Sequence, residues 1–363
     1  MSASLDLKSA PFAAELIRQS GQALAESVVT KLLQDAPARW QHLQRDSNAN
    51  LKSRVATRLT YLSTALTHAR SQIFVDSIAW TRFAWEARGM PPNDFAALLA
   101  AIRDVLVEQL PPIAAQPAAA FVAAGLEELK QAPVAPTSYM RVDTPTGRLA
   151  AEYLVQLLEG KQQNAFDLVL SAVDRGLPVR SAYMEVVVPA QQELGRLWML
   201  DEISIGEEHQ CTAASMRLLT LLHAHAPRGA PQALSVLGAA VSDNQHELGI
   251  RVIMDFFDLE GWRSVYLASG VPVADLCKSL HDFDADLLAL SVTLTPQIES
   301  ARCMIAELRS QPEICDMPVM VGGGAFAGLG DLWREIGGDA YVNSPFDAVR
   351  VGHELVARRQ RRH

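Results

Sequence analysis

The sequence is poor in cysteine, lacks a long apolar run and has no excess of basic residues, and each absence excludes a class of protein. Its 4 cysteines lie far apart with no CxxC pair, which excludes a disulfide framework and a cysteine-based zinc site. No apolar run is long enough to span a bilayer. The net charge of -9 disfavours a free-standing nucleic-acid binder, which would normally carry a basic face. The thiols predicted to be buried, in a reducing compartment, are Cys211, Cys277, Cys303 and Cys315.

Charged residues interrupt the apolar stretch at the start of the chain, namely Asp6, Lys8 and Glu15. A secretory signal peptide has an uninterrupted apolar segment, so we expect none here. We therefore expect a cytoplasmic protein with no membrane contact and no direct contact with DNA. The basic run from Arg358 to Arg362 fits a solvated helix end that complements the helix dipole better than a DNA contact.

Residues 1–130 are predicted to form a helical domain. Apolar residues recur at helical spacing in Phe12–Leu33, and Arg54–Arg88 is a long stretch without proline or glycine. Aromatic residues are concentrated here, and at helical spacing such residues usually belong to the core, which is our default interpretation. They are Tyr61, Phe74, Trp80, Phe83 and Trp85.

A helix stop is predicted at Gly89, because glycine suits the position just after a helix end. Asn93 or Asp94 is predicted to cap the next helix, and a last helix is predicted from Pro117 to Lys130. Three prolines fall between residues 131 and 146, and proline at this density breaks helices. The sequence therefore predicts a linker over residues 131–146.

Residues 147–228 are predicted to form a four-helix bundle, because apolar-periodic segments are joined by short connections. The segments are Arg148–Gly160, Asn164–Asp174 with Asn164 as the expected N-cap, Pro178–Leu200 and Ser204–His225. Around the third connection, Trp198 is followed ten and eleven positions later by Glu208 and His209. A tryptophan near one helix end and a Glu-His pair early in the next would point into the same space, as in a lid over a flat ligand.

Residues 231–363 contain apolar runs that indicate buried strands, separated by helical segments. The predicted strands are Leu234–Val241, Leu287–Thr293, Pro318–Val321 and a short fourth that ends at Tyr341–Ser344. After the first strand come the loop Ser242–Gly249, which contains His246, and a predicted helix over Ile250–Leu259. A histidine in a strand-to-helix loop lies where open α/β sheets bind ligands.

Together these strand-end motifs resemble the cobalamin-binding domain. That family carries an acidic residue, one residue, a histidine, two residues and a glycine, then a serine motif and a glycine pair. The residues that match, in that order, are His246, Gly249, Ser291, Gly322 and Gly323. The resemblance covers roughly residues 231–360. It implies a flavodoxin-like (Rossmann-type) domain with a parallel five-stranded sheet, in which His246 ligates cobalt from the lower face.

The resemblance also implies a slot for the displaced nucleotide tail of the cofactor. Glycines would let the backbone approach this tail, and Ser291 or Thr293 would hydrogen-bond its polar groups. Tyr341 joins the predicted cofactor-binding set. Asn244 stands where the family usually has Asp or Glu. A carboxylate there raises the basicity of the ligating imidazole, whereas the carbonyl of Asn244 is expected to orient the ring with less effect.

The spacing of Trp198, Glu208 and His209 resembles the light-responsive cobalamin repressors, the CarH-like group. The resemblance implies that these three residues wrap the upper axial adenosyl group of adenosylcobalamin. The repressors place a histidine directly after the tryptophan, and it captures cobalt after light, but this chain has Met199. His209 is then the nearest candidate for an upper cobalt ligand, and otherwise water would occupy the site. The repressors also begin with a MerR-type DNA-binding domain, which this sequence does not show.

The order of a helical region, a bundle and a cobalamin domain resembles the photocobilins, which hold a bilin as well as cobalamin. That resemblance implies a second chromophore such as biliverdin, held with the help of the N-terminal region. A bilin needs cations or hydroxyls for its propionates and an apolar slot for its rings. The residues that could supply the polar groups are Arg54, Arg58, Tyr61, His68 and Arg70.

The predicted function is therefore an adenosylcobalamin photoreceptor and not an enzyme. Loss of the adenosyl group in light would change the lid and alter association of the chain with itself, as a dimer or higher oligomer, or with a regulator or effector protein. Two alternatives stay open. One is a methyl-carrier corrinoid protein that serves separate methyltransferases, and the other is a light-independent cobalamin sensor or anti-repressor.

Overall fold

The computed structural model of the chain describes residues 7–44, 51–131 and 136–361. These residues form two compact units, Met1–Ala135 and Pro136–His363. The division falls within the proline-containing segment between residues 131 and 146. None of the helices in the described residues is long and apolar enough to cross a membrane.

The described residues of the first unit are helical. The helices are α1 (Ala10–Asp35), α2 (Pro37–Gln44), α3 (Leu51–Thr67), α4 (Ser71–Ala87), α5 (Pro92–Gln109) and α6 (Pro112–Glu128). Among the clustered aromatic residues, Phe74 and Trp85 are buried in the core, and Trp85 stacks on Phe95 with the ring centroids 5.1 Å apart. Trp80, by contrast, is 48% exposed, so the core interpretation fails for this residue.

The stretch Arg54–Arg88 is broken, although it lacks proline and glycine. Ala69 adopts a positive φ of 50°, and the Arg70 backbone N–H donates to the Ala65 carbonyl oxygen at 2.8 Å. This is the hydrogen-bond pattern that ends helices at a left-handed residue. Sequence patterns miss it because that conformation is usually occupied by glycine, as it is at Gly89, where φ is 68° as predicted.

Prolines set the starts of the next two helices. Helix α5 begins at Pro92, so Asn93 and Asp94 lie inside the helix and do not cap it. Helix α6 begins at Pro112 and contains Pro117, which was predicted to start it. Proline is favoured at the first helical position because its missing N–H would have no partner there in any case.

The second unit begins with the helical bundle. Its helices are α7 (Pro145–Leu158), α8 (Gln162–Asp174), α9 (Val179–Ser181), which continues through a π-helical segment (Ala182–Val187) into α10 (Val188–Met199), and α11 (Ile205–His225). Helix α8 begins before Asn164, so that residue is not its N-cap, and Lys161 occupies the position. Helix α11 begins with a reciprocal cap, in which Ser204 Oγ accepts the Glu207 N–H at 3.2 Å and the Glu207 carboxylate accepts the Ser204 N–H at 2.7 Å.

The third helix of the bundle is not the uniform α-helix predicted over Pro178–Leu200. In the segment Ala182–Val187 the turns widen, and the Val188 N–H donates to the Tyr183 carbonyl oxygen, five residues earlier. Pro189 follows directly and has no N–H, so the helix loses one hydrogen bond at this point. Tyr183, in the widened turn, contacts the α/β domain.

The α/β domain contains a parallel sheet with the strand order β2-β1-β3-β4-β5. The strands are β1 (Ser235–Ala240), β2 (Arg263–Tyr266), β3 (Leu287–Ser291), β4 (Val319–Gly322) and β5 (Ala340–Val342). The helices between and after them are α12 (Leu248–Leu259), α13 (Val273–Asp282), α14 (Ile298–Ser310), α15 (Leu332–Glu335) and α16 (Pro345–Gln360). This order is flavodoxin-like, which confirms the predicted fold class.

The strand register brings the predicted motifs to one edge of the sheet. Ala240 lies beside Ser291, Ser291 beside Gly322, and Gly322 beside Val342. The loops that follow these residues therefore meet at the carboxyl edge, where the order reverses between β1 and β3. Open α/β sheets bind ligands at this kind of crevice.

The prediction that all the cysteines are buried is wrong for two of them. Cys211 and Cys277 are buried, whereas Cys303 and Cys315 are exposed. Cys303 lies on the outer face of α14, beside Glu299, and Cys315 lies in the turn before β4. Cys303 belongs to the exposed stripe of an amphipathic helix, and Cys315 lies in a surface turn, so low cysteine content did not determine the burial of either thiol.

Candidate functional site

The loop between β1 and α12 is held by Asn244, which is fully buried. Its side-chain amide donates to the Ser291 carbonyl oxygen at 3.3 Å and to Thr293 Oγ at 3.1 Å. Its carbonyl oxygen accepts the backbone N–H of His246 at 3.0 Å. Asn244 therefore orients the loop backbone, and does not bond the imidazole as predicted. Ser291 is buried at the end of β3. The Thr293 hydroxyl, in the loop that follows β3, accepts the hydrogen bond from the Asn244 amide.

His246 is exposed, and no residue in the described part of the chain hydrogen-bonds or ion-pairs with its ring. A ring nitrogen of His246 is thus available to a metal. Within those same residues, no three His, Cys, Asp or Glu side chains gather to hold a bare ion. A single imidazole suits a metal whose other ligands come with a macrocycle.

Gly249 leaves open space beside His246. It lies in the first turn of α12, and a Cβ atom built there would meet nothing within 4 Å. Glycine is the less stable choice in a helix by about 1 kcal/mol relative to alanine. The fold therefore does not require glycine at this position, and the surface beside this turn is open.

The glycine pair after β4 is required by the fold itself. Gly323 has a φ of +99°, and a Cβ there would lie 2.2 Å from the Val292 carbonyl oxygen. A Cβ on Gly322 would lie 3.0 Å from the Val342 carbonyl oxygen. The Tyr341 hydroxyl donates to the Gly323 carbonyl oxygen at 3.4 Å. Gly323 thus lets the loops after β3 and β4 approach each other closely, and Gly322 allows close contact with β5.

Two supporting residues escaped the sequence patterns. Gln297, which is 5% exposed, donates to the Asp243 carbonyl oxygen at 3.1 Å and accepts the Leu294 N–H at 2.9 Å. Glu247 accepts the Tyr266 hydroxyl at 3.0 Å, as well as a backbone N–H after β2. Both residues fix the loop around His246. Glu247 occupies a position of the loop motif for which the family specifies no residue type. The contacts to Asp243 and Tyr266 join residues far apart in sequence, so no sequence signal indicates them.

The lid, defined as Trp198, Glu208 and His209, lies at one end of the bundle. Trp198 is in the last turn of α10, and the other two residues are in the first turn of α11. Glu208 Oε2 lies 2.6 Å from Nδ1 of His209, and Glu208 Oε1 accepts the Thr212 hydroxyl at 2.8 Å. Met199, at the position where the repressors have histidine, is buried in the bundle.

The other end of the bundle packs on α12. The Tyr183 hydroxyl lies 2.9 Å from Oδ2 of Asp255 and 2.8 Å from the Leu219 carbonyl oxygen. Nε2 of His223 lies 2.9 Å from Oδ2 of Asp258. Burial raises the pKa of Asp255, against the opposing effect of its ion pair with an arginine one helical turn earlier.

These contacts give the direction of α11 relative to α12. The Tyr183 hydroxyl contacts both Leu219 on α11 and Asp255 on α12. One turn later on α11, His223 contacts Asp258, which also lies later on α12, so the two helices run in the same direction. Glu208 lies eleven residues before Leu219, about 16 Å along the helix axis. The start of α12, next to His246, lies about 10 Å from Asp255 on the same side. Measured from the contact between α11 and α12, the lid and the His246 loop therefore both lie toward the N-terminal ends of these helices.

A B12 binding domain family matches residues 234–350, and a second B12 binding domain family matches residues 149–223. These two matches support cobalamin binding by this part of the chain. The matches cover the α/β domain with its crevice and the bundle with its lid. Neither match includes the first unit.

Relatives of this cobalamin-binding protein fall into two groups. The dimethylamine corrinoid protein 3 of Methanosarcina acetivorans is 24% identical over 193 residues, which are 52% of this chain and 89% of that protein. The HTH-type transcriptional repressor CarH of Myxococcus xanthus is 30% identical over 158 residues, 43% of this chain and 52% of the repressor. The chain therefore spans about half the length of that repressor.

The structure of the Methanosarcina barkeri monomethylamine corrinoid protein is similar in fold. It superposes with a TM-score of 0.50 at 16% sequence identity, covering 57% of this chain and 98% of that one. At this identity the likeness concerns the fold alone. It supports the arrangement of a bundle followed by a parallel α/β domain.

Proposed function

We propose that this cobalamin-binding protein is a light sensor that holds adenosylcobalamin between the bundle and the α/β domain. His246 would ligate cobalt from below, and the lid would enclose the upper ligand. The bound cofactor would supply a weak cobalt–carbon bond that visible light breaks. The lid residues would then lose their partner, and the packing of the bundle against a second copy or a regulator or effector protein would change.

The observation that carries this proposal is the position of the lid relative to His246. Helices α11 and α12 run in the same direction, so the lid and the His246 loop can face one ligand from opposite sides. The Glu208 carboxylate, fixed by His209 and Thr212, is an acceptor for hydroxyl groups. A nucleoside carries such hydroxyls, whereas a methyl group has none.

A methyl-carrier function is the second candidate, because the dimethylamine corrinoid protein 3 matches 193 residues of this chain, more than either the bundle or the α/β domain contains. Such a carrier would bind methylcobalamin and serve a separate methyltransferase, and its lid would have no polar partner. A light-independent cobalamin sensor would use the same residues as the photoreceptor. It would respond to which cobalamin is present and would not respond to illumination.

We further propose that the first unit holds a bilin such as biliverdin. Arg58 is 7% exposed, and no carboxylate pairs with it in the described part of the chain. It donates to the Ser77 carbonyl oxygen at 3.2 Å and to the Thr81 hydroxyl, and its guanidinium lies over the Tyr61 ring. Burial lowers the pKa of Arg58 to about 10. A buried cation without a counter-ion suits an acidic group of a ligand.

Reconstitution with biliverdin tests this second chromophore. The full chain should retain a far-red absorption band after gel filtration, and biliverdin dimethyl ester, which lacks the free acids, should be retained less well. Arg58→Gln should remove that difference, whereas Arg103→Gln, at a half-exposed arginine of α5 that pairs with Asp104, should not. Equal retention of the acid and the ester by the wild type would contradict the role of Arg58.

Sizing of the loaded protein tests the light response. Protein saturated with adenosylcobalamin should change its molar mass, or its complex with a partner, between darkness and green light. Trp198→Ala should bind hydroxocobalamin as the wild type does but hold adenosylcobalamin more weakly, because only the latter fills the lid. Equal weakening of both cobalamins would argue against the lid, and a light-insensitive mass together with intact photolysis would favour the sensor alternative.

A further inference from the structure

A chain of hydrogen bonds runs from the lid into the core of the bundle. Glu208 Oε1 lies 2.8 Å from Thr212 Oγ, which lies 2.8 Å from Oε1 of Gln191 on α10. Nε2 of Gln191 lies 2.8 Å from Ser215 Oγ, which lies 2.8 Å from the Tyr153 hydroxyl on α7. This chain of hydrogen bonds therefore connects three helices and ends at the Glu208 carboxylate of the lid.

The inner end of this chain lies in an apolar core. Ser215 and Tyr153 are fully buried, and burial raises the pKa of Tyr153, so its hydroxyl keeps its hydrogen. Polar groups in such a core are destabilising unless each finds a partner. A fully bonded chain, in contrast, restricts the rotamers of all its members and fixes them relative to one another.

The number of hydrogens gives the chain a direction. The Thr212 hydroxyl has one hydrogen but faces two oxygens, those of Glu208 and Gln191. A half-turn of the Gln191 amide, which exchanges its oxygen and nitrogen, resolves the conflict. Tyr153 then donates to Ser215, Ser215 to Gln191, Gln191 to Thr212, and Thr212 to the carboxylate. Ser215 Oγ also lies 2.9 Å from the Cys211 carbonyl oxygen, one turn earlier in its own helix, and in this arrangement its single hydrogen goes to Gln191 instead. Each of the three hydroxyl groups then donates toward the lid.

We propose that Thr212 and Gln191 are positioning residues that determine which upper ligand the lid accepts. By donating along the chain, they hold the Glu208 carboxylate as an acceptor for the hydroxyls of a nucleoside ligand. A methyl ligand offers no donor and gains nothing from this arrangement. The inference rests on the proposed function, since it assigns the residues that confer selectivity for adenosylcobalamin.

The test is the ratio of the dissociation constants for methylcobalamin and adenosylcobalamin, measured in darkness on the full chain. Thr212→Val keeps the side-chain shape and removes the hydroxyl, and it should weaken adenosylcobalamin binding by about tenfold while leaving methylcobalamin unchanged. Thr212→Ser keeps the hydroxyl and should therefore show the same ratio of dissociation constants as the wild type. Gln191→Met removes the hydrogen bonds that α10 contributes to the chain of hydrogen bonds, and it should lower the ratio of dissociation constants as Thr212→Val does.

Thr220→Val is the matched control, because among the described residues the Thr220 hydroxyl bonds within its own helix, to the Met216 carbonyl oxygen at 3.3 Å. Melting temperatures of the cobalamin-free variants report whether each one folds. If Thr212→Val and Gln191→Met weaken both cobalamins equally, or change neither, the inference is overturned while the proposed function stands. A wild type without any preference for adenosylcobalamin overturns the proposed function and the inference together.

Discussion

The side-chain amide of Asn244 donates to the carbonyl oxygen of Ser291 at 3.3 Å, across the ends of two neighbouring strands. The same amide reaches Thr293 Oγ at 3.1 Å, while its oxygen holds the His246 backbone. One buried side chain thus joins the loop that carries the candidate cobalt ligand to the loop that follows β3. The position of His246 depends on this connection more than on any contact of its own ring.

Asn244→Asp should destabilise the cobalamin-free protein by about 1–3 kcal/mol, because a carboxylate would face the Ser291 carbonyl oxygen without a hydrogen to donate. Urea unfolding near pH 7 measures the difference. Asn93→Asp is the matched control, since Asn93 is exposed and a surface change of this kind stays within about 0.5 kcal/mol. Unchanged stability of Asn244→Asp would show that the two loops are held by other contacts.

Gly249→Leu should separate stability from binding. The helix gains up to about 1 kcal/mol when glycine is replaced by a good helix former, whereas the new side chain occupies the space beside His246. We expect the melting temperature to rise slightly and cobalamin affinity to fall. Gly21→Leu, at another helical glycine with nothing within 4 Å, should give the stability gain alone. Unimpaired binding by Gly249→Leu would place the cofactor elsewhere.

His246→Ala should remove the histidine-bound form of cobalamin, because no second imidazole among the described residues of this loop replaces it. The absorption spectrum of the cobalamin-loaded protein, compared with that of free base-off cobalamin, measures the change. Gln245→Ala alters the neighbouring exposed residue and should leave the spectrum as in the wild type. A spectrum of His246→Ala identical to that of the wild type would eliminate His246 as the ligand.

Glu193 should make stability depend on pH in the acid range. Burial alone would raise its pKa, but hydrogen bonds from the Arg196 guanidinium and the Tyr139 backbone N–H outweigh burial and lower the pKa. A lowered folded-state pKa stabilises the protein above the unfolded value of about 4.3, and this contribution is lost as the pH falls through the folded-state pKa.

Glu193→Gln should therefore cost about 1–3 kcal/mol near neutral pH, and the difference from the wild type should shrink as the pH drops below about 4.3. Urea unfolding at a series of pH values provides the comparison. Glu152→Gln, on the outer surface of α7, serves as the control with an unchanged pH profile. If the difference in the free energy of unfolding between Glu193→Gln and the wild type is the same at every pH, the charge of Glu193 does not contribute to stability.

The sequence was sufficient for those features that depend on strand ends and helix spacing. His246, Ser291 and Gly322 follow buried runs, and the carboxyl ends of parallel strands must meet at one edge, so their common location was predictable. Trp198 and Glu208 likewise had to lie at one end of the bundle, because a short turn joins their helices.

Features that depend on contacts between remote residues were not predictable. Thr212 and Gln191 lie in different helices and belong to no motif, and their link appears only when the bundle is packed. The roles of Asn244 and Gln297 are set by backbone groups, which a sequence pattern does not show. The helix end at Ala69 uses a left-handed conformation without glycine, so no residue type marked it.

The most direct test of the proposed function is the absorption spectrum of protein loaded with adenosylcobalamin, recorded in darkness and after green light. We predict a shift from the alkylcobalamin spectrum to an aquo- or histidine-bound spectrum, with cobalamin still bound to the protein after illumination. His246→Ala should lack the histidine-bound features in both states. A spectrum that green light leaves unchanged, or loss of the cofactor on gel filtration, would contradict the photoreceptor and favour the methyl carrier.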